Sequence, residues 1–296
     1  MKYQDFIDYL KYEKRLSAHT VTAYEHDLAQ FIFFLEEKLD IRKLQDVHSG
    51  DIRAWVISLM EDESLQAKSV SRKISAVKAF YRYKLKTNEI QTNPTLVVHA
   101  PKLQKKLPQY VEQRDMDHLF TDIPFEETFE GLRDRTILEL FYATGMRLSE
   151  LLNLKAQDIR FQDNTIKVLG KRNKERLIPF GNRLSDLLTM YLENLGKKFV
   201  DGIENNFIFV TANGKQLYPK AVYRIVRKYL DMVTTIEKRS PHVIRHTFAT
   251  HMLNNGADLN AIKTLLGHSS LAATQVYTHN SIEQLKSIYN QAHPRA

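Results

Sequence analysis

Residues 158–180 read DIRFQDNTIKVLGKRNKERLIPF, in which short apolar runs alternate with polar turns. Three short runs rich in β-branched residues, DIRF, TIKVLG and ERLIPF, are separated by the polar turns QDN and KRNK. This spacing is typical of a three-stranded antiparallel meander. FIFV at 207–210, ahead of an Asn-Gly turn, predicts a further short strand. The sequence on both sides has helical periodicity, so we predict a mainly α (α+β) fold with one small sheet.

Upstream of this stretch, the first hundred residues predict a four-helix module. Ser17 can cap a helix whose apolar residues, from Val21 to Leu35, recur at intervals of three and four. Similar stripes follow at 52–59 and 70–81. These stripes predict a helical core rather than a cofactor site.

Prolines at 94, 101 and 108, together with nearby lysines, predict an extended basic connector, because proline cannot continue a helix. The predicted organisation is a helical domain at 1–100, a linker at 101–110 and a second domain at 111–296, with a C-terminal helix and tail at 281–296.

Composition excludes several classes of protein. The chain has 296 residues and no cysteine, so disulfide scaffolds, thiolate metal sites and cysteine nucleophiles are excluded. No apolar run reaches the ~20 residues of a membrane span. The charged start MKYQDFIDYLKYEK lacks the apolar core of a signal peptide. We therefore expect a cytoplasmic protein with no membrane partner.

The net charge is +8, and the positive charge is unevenly distributed along the chain. Residues 64–88 contain several lysines and arginines but no acidic residue. A basic stretch of this kind attracts polyanions, because neutralised phosphates release counterions. A solvated helix face explains it equally well, and an anionic lipid surface is a weaker alternative because no aromatic apolar face accompanies it. The cations of the stretch are Lys68, Arg72, Lys73, Lys78, Arg82, Lys84 and Lys86.

Three motifs in the second half of the chain carry candidate chemistry. ATGMRLSE places Arg147 after a Thr-Gly break, at the start of a predicted helix. SPHVIRHTFATHML begins with Ser240 as a candidate cap, and it places His242 and Arg245 three apart on one helix face. GHSSLAATQVYTHN places His268 after a glycine and Tyr277 nine residues later.

The hairpin between the second and third predicted strands is strongly basic. Its cations form either a solvated tip or a finger that reaches into a groove. They are Lys171, Arg172, Lys174 and Arg176.

Histidines are dense between residues 242 and 279, which raises the question of a metal site. The H-E-x-x-H motif is absent, and no carboxylate lies between Glu237 and Asp258. We therefore expect no metal and no cofactor. His246, His251 and His279 keep a structural interpretation.

Taken in order, the segments ATGMRLSEL, GKRNKERLIP, SPHVIRHTFATHML, LLGHSSLAATQVYTH and HPRA resemble the tyrosine site-specific recombinases. Within that family they are most similar to the bacterial Xer group, which resolves chromosome dimers. LSAHTVTAYEHDL near the start resembles the DNA-binding domain of the family, so the resemblance covers essentially the whole chain. Arg172 replaces the glycine that is common after the hairpin lysine.

The resemblance implies cutting and rejoining of DNA through a 3′-phosphotyrosyl intermediate and a Holliday junction. Tyr277 would be the nucleophile, and His242 would accept its proton. The catalytic set that the resemblance implies is Arg147, Lys171, His242, Arg245, His268 and Tyr277.

Double-stranded DNA with a short inverted-repeat site is the partner that the resemblance implies. A homo- or hetero-tetramer would assemble on it, with room for a sister Xer recombinase and a DNA translocase of the FtsK type. The predicted DNA contacts are Lys68, Arg72, Lys73, Lys78, Arg82, Lys102, Lys105, Arg172, Lys174, Lys220, Arg224 and Arg227.

An apolar stripe at Ile282, Leu285, Ile288 and Tyr289 predicts a final helix. It either docks on its own domain or passes to a neighbouring protomer. We expect the exchange in the DNA-bound state and a monomer in the absence of DNA.

Two rival functions stay open. An integrase or excisionase of a phage or mobile element would use the same chemistry. A non-catalytic DNA-binding protein on this scaffold would have lost a catalytic side chain, and this chain retains all six.

Overall fold

The computed structural model describes residues 1–61, 65–101, 109–170, 175–200, 202–267 and 279–296. The chain divides into two compact units, Met1–Lys106 and Leu107–Ala296. The predicted linker at 101–110 stays a prediction, because residues 102–108 lie outside the described residues.

Helices build the described part of the first unit, as predicted. Helix α1 (Gln4–Asp8) continues into a π-helical turn, and it is followed by α2 (Ala18–Lys38), α3 (Ser49–Glu61) and α4 (Ala67–Lys86). The hydroxyl of Ser17 accepts a hydrogen bond from the Thr20 amide at 3.3 Å, which confirms the predicted cap of α2.

Aromatic side chains fill the core of this unit. Trp55 is 1% exposed, and its ring lies 4.8 Å from the ring of Phe31 in an edge-on arrangement. Burial of one such side chain contributes about 2–3 kcal/mol. The stripes that predicted these helices therefore face inward.

The second unit is mostly helical and contains the predicted sheet. Its elements in chain order are α5 (Gln113–Thr121), α6 (Phe129–Thr144), α7 (Leu148–Leu152), β1 (Ile159–Arg160), β2 (Thr165–Leu169), β3 (Glu175–Pro179), α8 (Asn182–Lys198), α9 (Pro219–Val233), α10 (Pro241–Asn254), α11 (Leu259–Leu266) and α12 (His279–Ala292).

The three strands pair in the order β1-β2-β3, all antiparallel, so the predicted meander and the α+β class are confirmed. Ile166 of β2 pairs with Ile178 of β3, and both are fully buried. One face of the sheet is therefore part of the core of the unit.

The prediction of a strand at 207–210 is wrong. The segment makes only isolated bridges, Lys155 with Phe207 and Val210 with Gln216. The amide of Ile208 donates to the carbonyl of Leu154, whereas the carbonyl of Phe209 accepts from Leu217. Because these partners lie on two different segments, no continuous ladder forms.

Helix α10 begins as predicted at Pro241, after Ser240 in an extended conformation. The side chain of Ser240 makes no capping hydrogen bond, so that part of the prediction is wrong. Proline at the first position needs no partner for a missing N–H, and it supplies the helical φ itself.

Helix α12 packs against its own unit. Leu285 and Tyr289 lie in one buried cluster with Phe248, Met252 and Leu265. In the described residues, no helix has the length and apolar character that a bilayer crossing requires.

Candidate active site

The junction between α6 and α7 places the first candidate catalytic residue. Gly145 ends α6 in the left-handed conformation, with φ of 57°. A Cβ on this residue would lie 2.5 Å from Cδ1 of Phe248 and 2.8 Å from Cδ2 of Leu266. Glycine is therefore required by both the conformation and the packing, and it directs the chain into α7 at Arg147.

Arg147 occupies the N-cap position of α7, and Glu150 holds it there. The Arg147 amide donates to Oε2 of Glu150 at 2.7 Å, and Nη1 donates to Oε1 at 2.8 Å. Its Nη2 donates to the carbonyl of Gly267 at 2.9 Å. The guanidinium is thus fixed between α7 and the end of α11.

Arg245 reaches the same place from α10. Its Nη1 donates to the carbonyl of Gly145 at 2.6 Å, and its Nη2 donates to the carbonyl of Leu266 at 2.7 Å. Arg147 and Arg245 therefore bind carbonyls of adjacent residues at the end of α11. The structure brings together the two arginines that the motifs predicted.

Burial and like charge affect Arg245 strongly. Desolvation, with repulsion from Arg147 and Arg176, lowers the pKa of Arg245 to about 10. The side chain still carries its proton at neutral pH. The site therefore concentrates positive charge that a neighbouring anion would stabilise.

Arg176 lies in the core of the unit and not on an exposed hairpin, which corrects both interpretations of that motif for this residue. It is 4% exposed and occupies an inward-facing position on β3. Its Nη1 and Nη2 donate to the two carboxylate oxygens of Glu150 at 2.7 and 2.9 Å. Burial alone would raise the pKa of Glu150, but Arg176 and Arg147 together lower it to about 2.

His242 lies in the first turn of α10, three residues before Arg245, and it is exposed. The other predicted catalytic residues, Lys171, His268 and Tyr277, lie outside the described residues. So do the predicted DNA contacts Lys102, Lys105, Arg172 and Lys174.

His251 has a structural environment. It is 3% exposed, and its Nδ1 lies 2.9 Å from the hydroxyl of Tyr142. Burial lowers its pKa, which favours the neutral ring. Over the ranges that the structure describes, no group of three His, Cys, Asp or Glu residues could hold a metal ion.

The predicted basic face of α4 divides into exposed and buried residues. Lys68 and Arg82 are exposed, and Lys78 is half-buried. Lys73 is 5% exposed, and its ammonium donates to Asp27 at 3.1 Å and to Gln30. Lys73 is therefore a core ion-pair residue, which corrects its assignment as a DNA contact.

Arg72 is half-exposed and also donates to Asp27. Lys84, another cation of this stretch, is buried between Asp5 and Glu89. Several cations of α4 thus form ion pairs with acidic residues of other segments of the first unit. Only the remaining cations of α4 are available to bind a polyanion.

The residues predicted on α9 form one exposed face. Lys220, Arg224 and Arg227 are spaced by four and three positions, and all three are exposed. Arg224 donates to the hydroxyl of Tyr218 at 2.5 Å. This face combines cations with an aromatic side chain.

Comparison with known proteins identifies the family. The profile of the phage integrase family matches residues 109–284, and that of its N-terminal SAM-like domain matches residues 3–88. The chain belongs to the phage integrase family. This confirms the resemblance inferred from the motifs.

Curated tyrosine recombinases match nearly the full chain. A tyrosine recombinase XerC from Chlorobaculum parvum is 38% identical over 99% of this chain and 94% of its own. A tyrosine recombinase XerC from Staphylococcus aureus is 40% identical over 98% of this chain and 96% of its own.

Two solved structures share the fold of this chain. XerH bound to a palindromic difH substrate, in a post-cleavage complex, has a TM-score of 0.71 at 21% identity and covers 93% of this chain and 80% of its own. The Tn1549 transposon integrase in complex with transposon right end DNA has a TM-score of 0.72 at 18% identity, over 95% of this chain and 96% of its own.

Sequence reasoning did not assign Glu150 or Arg176 to this site, although Arg176 was noted as a hairpin cation. Glu150 lies three residues after Arg147, which is a helical spacing for an ion pair. Arg176 lies two positions before Ile178 on β3. The two side chains therefore share one face of the strand, which predicts that both point to the core. The patterns were present in the sequence, but the pairing of Arg176 with Glu150 depends on the packing of separate elements.

Proposed function

We propose that Arg147 and Arg245, which converge on the end of α11, bind the scissile phosphate of DNA and that Tyr277 attacks this phosphate. Site-specific DNA recombination by a tyrosine recombinase is the activity supported by family membership and by the near-full-length curated relatives. The observation that carries the proposed site is the convergence of Arg147 and Arg245 on the carbonyls of Gly267 and Leu266.

Arg245 is suited to a phosphate. Among the described residues, two of its five N–H groups have partners, and both partners are neutral carbonyls. These carbonyls orient the guanidinium without cancelling its charge. A planar fork held in this way can bind two oxygens of a phosphate.

In the proposed reaction, the Tyr277 oxygen forms a bond to phosphorus while the bond to the 5′-oxygen breaks. His242 accepts the phenol proton, since a free phenol has a pKa near ~10. Lys171 gives a proton to the departing 5′-oxygen. The bond energy stays in the phosphotyrosyl linkage, so the reverse attack by a 5′-hydroxyl reseals DNA without ATP.

Arg147 and Arg245 would stabilise the negative charge on the non-bridging oxygens, and His268 would add one more donor. Each oriented donor of this kind contributes on the order of 3 kcal/mol in a transition state. The cations together supply the electrostatic stabilisation that a metal ion gives in other phosphoryl-transfer sites.

DNA binding would use exposed cations of both units. In the first unit these are Lys68 and Arg82. Lys78 is half-buried and Arg72 is paired with Asp27, so both would contribute less. In the second, the α9 face of Lys220, Arg224 and Arg227 would contact the duplex. Contacts to phosphates position a protein on DNA but carry no sequence information, so base recognition must come from a few of these side chains or their neighbours.

In the cell, we propose resolution of chromosome dimers at a short inverted-repeat site of the dif type. The curated relatives named XerC support this choice over an integrase or excisionase of a mobile element. The proposed assembly is a homo- or hetero-tetramer on DNA, with a sister recombinase and an FtsK-type translocase as candidate partners. A cytoplasmic location is part of the same proposal.

Helix α12 is the proposed link between protomers. It packs on its own unit here, and we propose that it moves to a neighbouring protomer in the DNA-bound tetramer. The exchange would let one subunit control the position of its neighbour's Tyr277.

Covalent trapping tests the proposed reaction. A nicked half-site, from which the short cleaved strand diffuses away, is incubated with wild-type protein or Tyr277→Phe in EDTA. A denaturation-resistant adduct with wild type alone supports Tyr277 as the nucleophile and a reaction without metal. An adduct with Tyr277→Phe contradicts the assignment, and binding of the site without any adduct favours the non-catalytic alternative.

A further inference from the structure

Arg176 has no role in the proposed reaction, yet its side chain is buried and makes three hydrogen bonds. Its side chain is 4% exposed, so it is not aimed at solvent. It makes a two-pronged contact with Glu150, and its Nε donates to the carbonyl of Leu265 at 2.8 Å. A buried arginine with three directed bonds fixes the position of whatever it contacts.

The carboxylate of Glu150 is shared by two arginines. Oε1 accepts from Nη1 of Arg147 and Nη1 of Arg176, at 2.8 and 2.7 Å. Oε2 accepts from the Arg147 amide and Nη2 of Arg176, at 2.7 and 2.9 Å. Arg176 therefore fixes the plane of the carboxylate that aims Arg147.

The end of α11 is shared by three arginines. The carbonyls of three consecutive residues, Leu265, Leu266 and Gly267, accept from Arg176, Arg245 and Arg147 in that order. These carbonyls lie at the negative end of the helix, where cations bind favourably. Arg176 is thus connected to both proposed phosphate ligands through groups that they also contact.

Gly267 fits this arrangement. It has φ of 66°, and a Cβ there would lie 3.1–3.3 Å from the Arg176 side chain. The guanidinium of Arg176 therefore occupies the space beside the residue that immediately precedes His268. A shift of Arg176 would move this backbone as well.

We propose that Arg176 is a positioning residue for strand cleavage. It orients Arg147 in two ways, through Glu150 and through the end of α11, whose Gly267 carbonyl Arg147 also contacts. It also neutralises Glu150, so that three arginines against one carboxylate leave two positive charges for the phosphate. The inference rests on the proposed function, because it concerns the rate of that cleavage.

Lysine cannot replace Arg176 in this role. An ammonium is a compact charge and has no planar fork, so it cannot bind both oxygens of Glu150 and the Leu265 carbonyl at once. Arg176→Lys keeps the charge and removes the geometry. Arg160→Lys is the matched control, since Arg160 is an exposed arginine on β1 of the same sheet.

The test measures single-turnover adduct formation on the nicked half-site at saturating protein, together with the Kd for the intact site. We expect Arg176→Lys to slow adduct formation on the order of 10- to 100-fold and to change the Kd less than about threefold. Arg160→Lys should match wild type. A rate for Arg176→Lys within about threefold of wild type overturns the positioning role.

Coupling to Arg147 separates positioning from a merely structural role. If Arg176 acts through Arg147, then Arg176→Lys adds little to the loss already caused by Arg147→Lys. A merely structural role predicts multiplied losses in the double variant. Multiplied losses therefore contradict the inference.

A charge-balanced variant keeps the test decisive if Arg176→Lys does not fold. Glu150→Gln combined with Arg176→Met removes the buried ion pair at constant net charge, which proteins often tolerate. We expect this folded variant to cut slowly, because Arg147 has lost its oriented acceptor. Cutting at the wild-type rate would overturn the inference, whereas absence of any wild-type adduct would instead overturn the proposed function.

Discussion

Arg295 and Glu139 form a buried ion pair, although 156 residues separate them in the sequence. Arg295 Nε donates to Oε2 of Glu139 at 3.1 Å, and both side chains are at most 5% exposed. Nearby, Nε2 of His293 donates to the carbonyl of Tyr142 at 3.0 Å. The segment that follows α12 therefore packs against the C-terminal half of α6.

Loss of one partner of this ion pair should destabilise the second unit. We expect Arg295→Met to lower the free energy of unfolding by about 3 kcal/mol, because it leaves the buried Glu139 charge with only the more distant Arg183, at 3.8 Å, as a partner. Urea denaturation followed by far-UV circular dichroism measures the loss. Fluorescence of Trp55, the one tryptophan of the chain, reports the first unit and should not change.

Two variants check this interpretation. Glu139→Gln with Arg295→Met should recover most of the loss, since neither charge remains. Lys286→Met removes an ion pair with Glu283 on the surface of α12. It should lower the free energy of unfolding by less than about 1 kcal/mol. Equal losses for Arg295→Met and Lys286→Met would show that the buried pair has no special role.

Acid should weaken the attachment of the tail. Burial, with repulsion from His251 and Arg295, lowers the pKa of His293 from 6.5 to about 4. The unfolded chain therefore takes up a proton before the folded chain does, and stability is lost as the pH falls from about 6.5 toward 4. Between pH 6.5 and 5 we expect a loss of about 2 kcal/mol from this residue.

Unfolding free energies measured at several pH values check this loss. His293→Gln should have a shallower dependence on pH over this window, whereas His99→Gln, at an exposed position, should keep the wild-type slope. His251, whose pKa burial also lowers, contributes in the same direction, so some slope remains. An unchanged slope in His293→Gln would contradict the prediction.

Arg245→Lys should impair cutting far more than binding. A lysine cannot reach the carbonyls of Gly145 and Leu266 together while it also binds a phosphate. We expect adduct formation to slow about 100- to 1000-fold, while the Kd for DNA changes little. Arg114→Lys, at an exposed position on α5, is the control, and a parallel loss of binding and cutting would refute the assigned role.

The two lysines Lys68 and Lys73 should behave differently. Lys68→Gln should weaken DNA binding and reduce the slope of log K against log salt by about 0.9, the value for one phosphate contact. Lys73→Gln should leave that slope unchanged but destabilise the first unit by about 1–3 kcal/mol, because Asp27 loses a buried partner.

Salt titrations of DNA binding and urea denaturation followed by Trp55 fluorescence measure these two effects. A reduced salt slope in Lys73→Gln would restore that residue to the DNA surface and contradict the structural assignment.

Local periodicity predicted much of this fold. The stripes of α2 to α4 and the alternating strands of the meander were visible, because burial of one face imposes its period on the sequence. FIFV was different, since Ile208, Phe209 and Val210 are buried but the hydrogen-bond partners of the segment lie on two other segments. The absence of a capping hydrogen bond from the Ser240 side chain could not be predicted either. Pro241 already favours the start of α10, so the helix can begin there without that bond.

The candidate site was only partly predictable. Arg147 and Arg245 were found through their motifs, and the structure places them at one helix end. The ion pairs of Lys73 with Asp27 and of Arg176 with Glu150 join elements that are distant in the sequence. A sequence records the charge of each partner, but the pairing appears only when the elements pack.

The carbonyls at the end of α11 hold the proposed phosphate ligands without neutralising them. The free protein therefore stores electrostatic repulsion at this site, and an incoming phosphate relieves it. Ligands that bind only the folded state raise its stability, so DNA should make the second unit more resistant to heat and proteolysis. A substitution that stabilises the free site by removing positive charge should therefore slow cutting, because less charge remains for the phosphate.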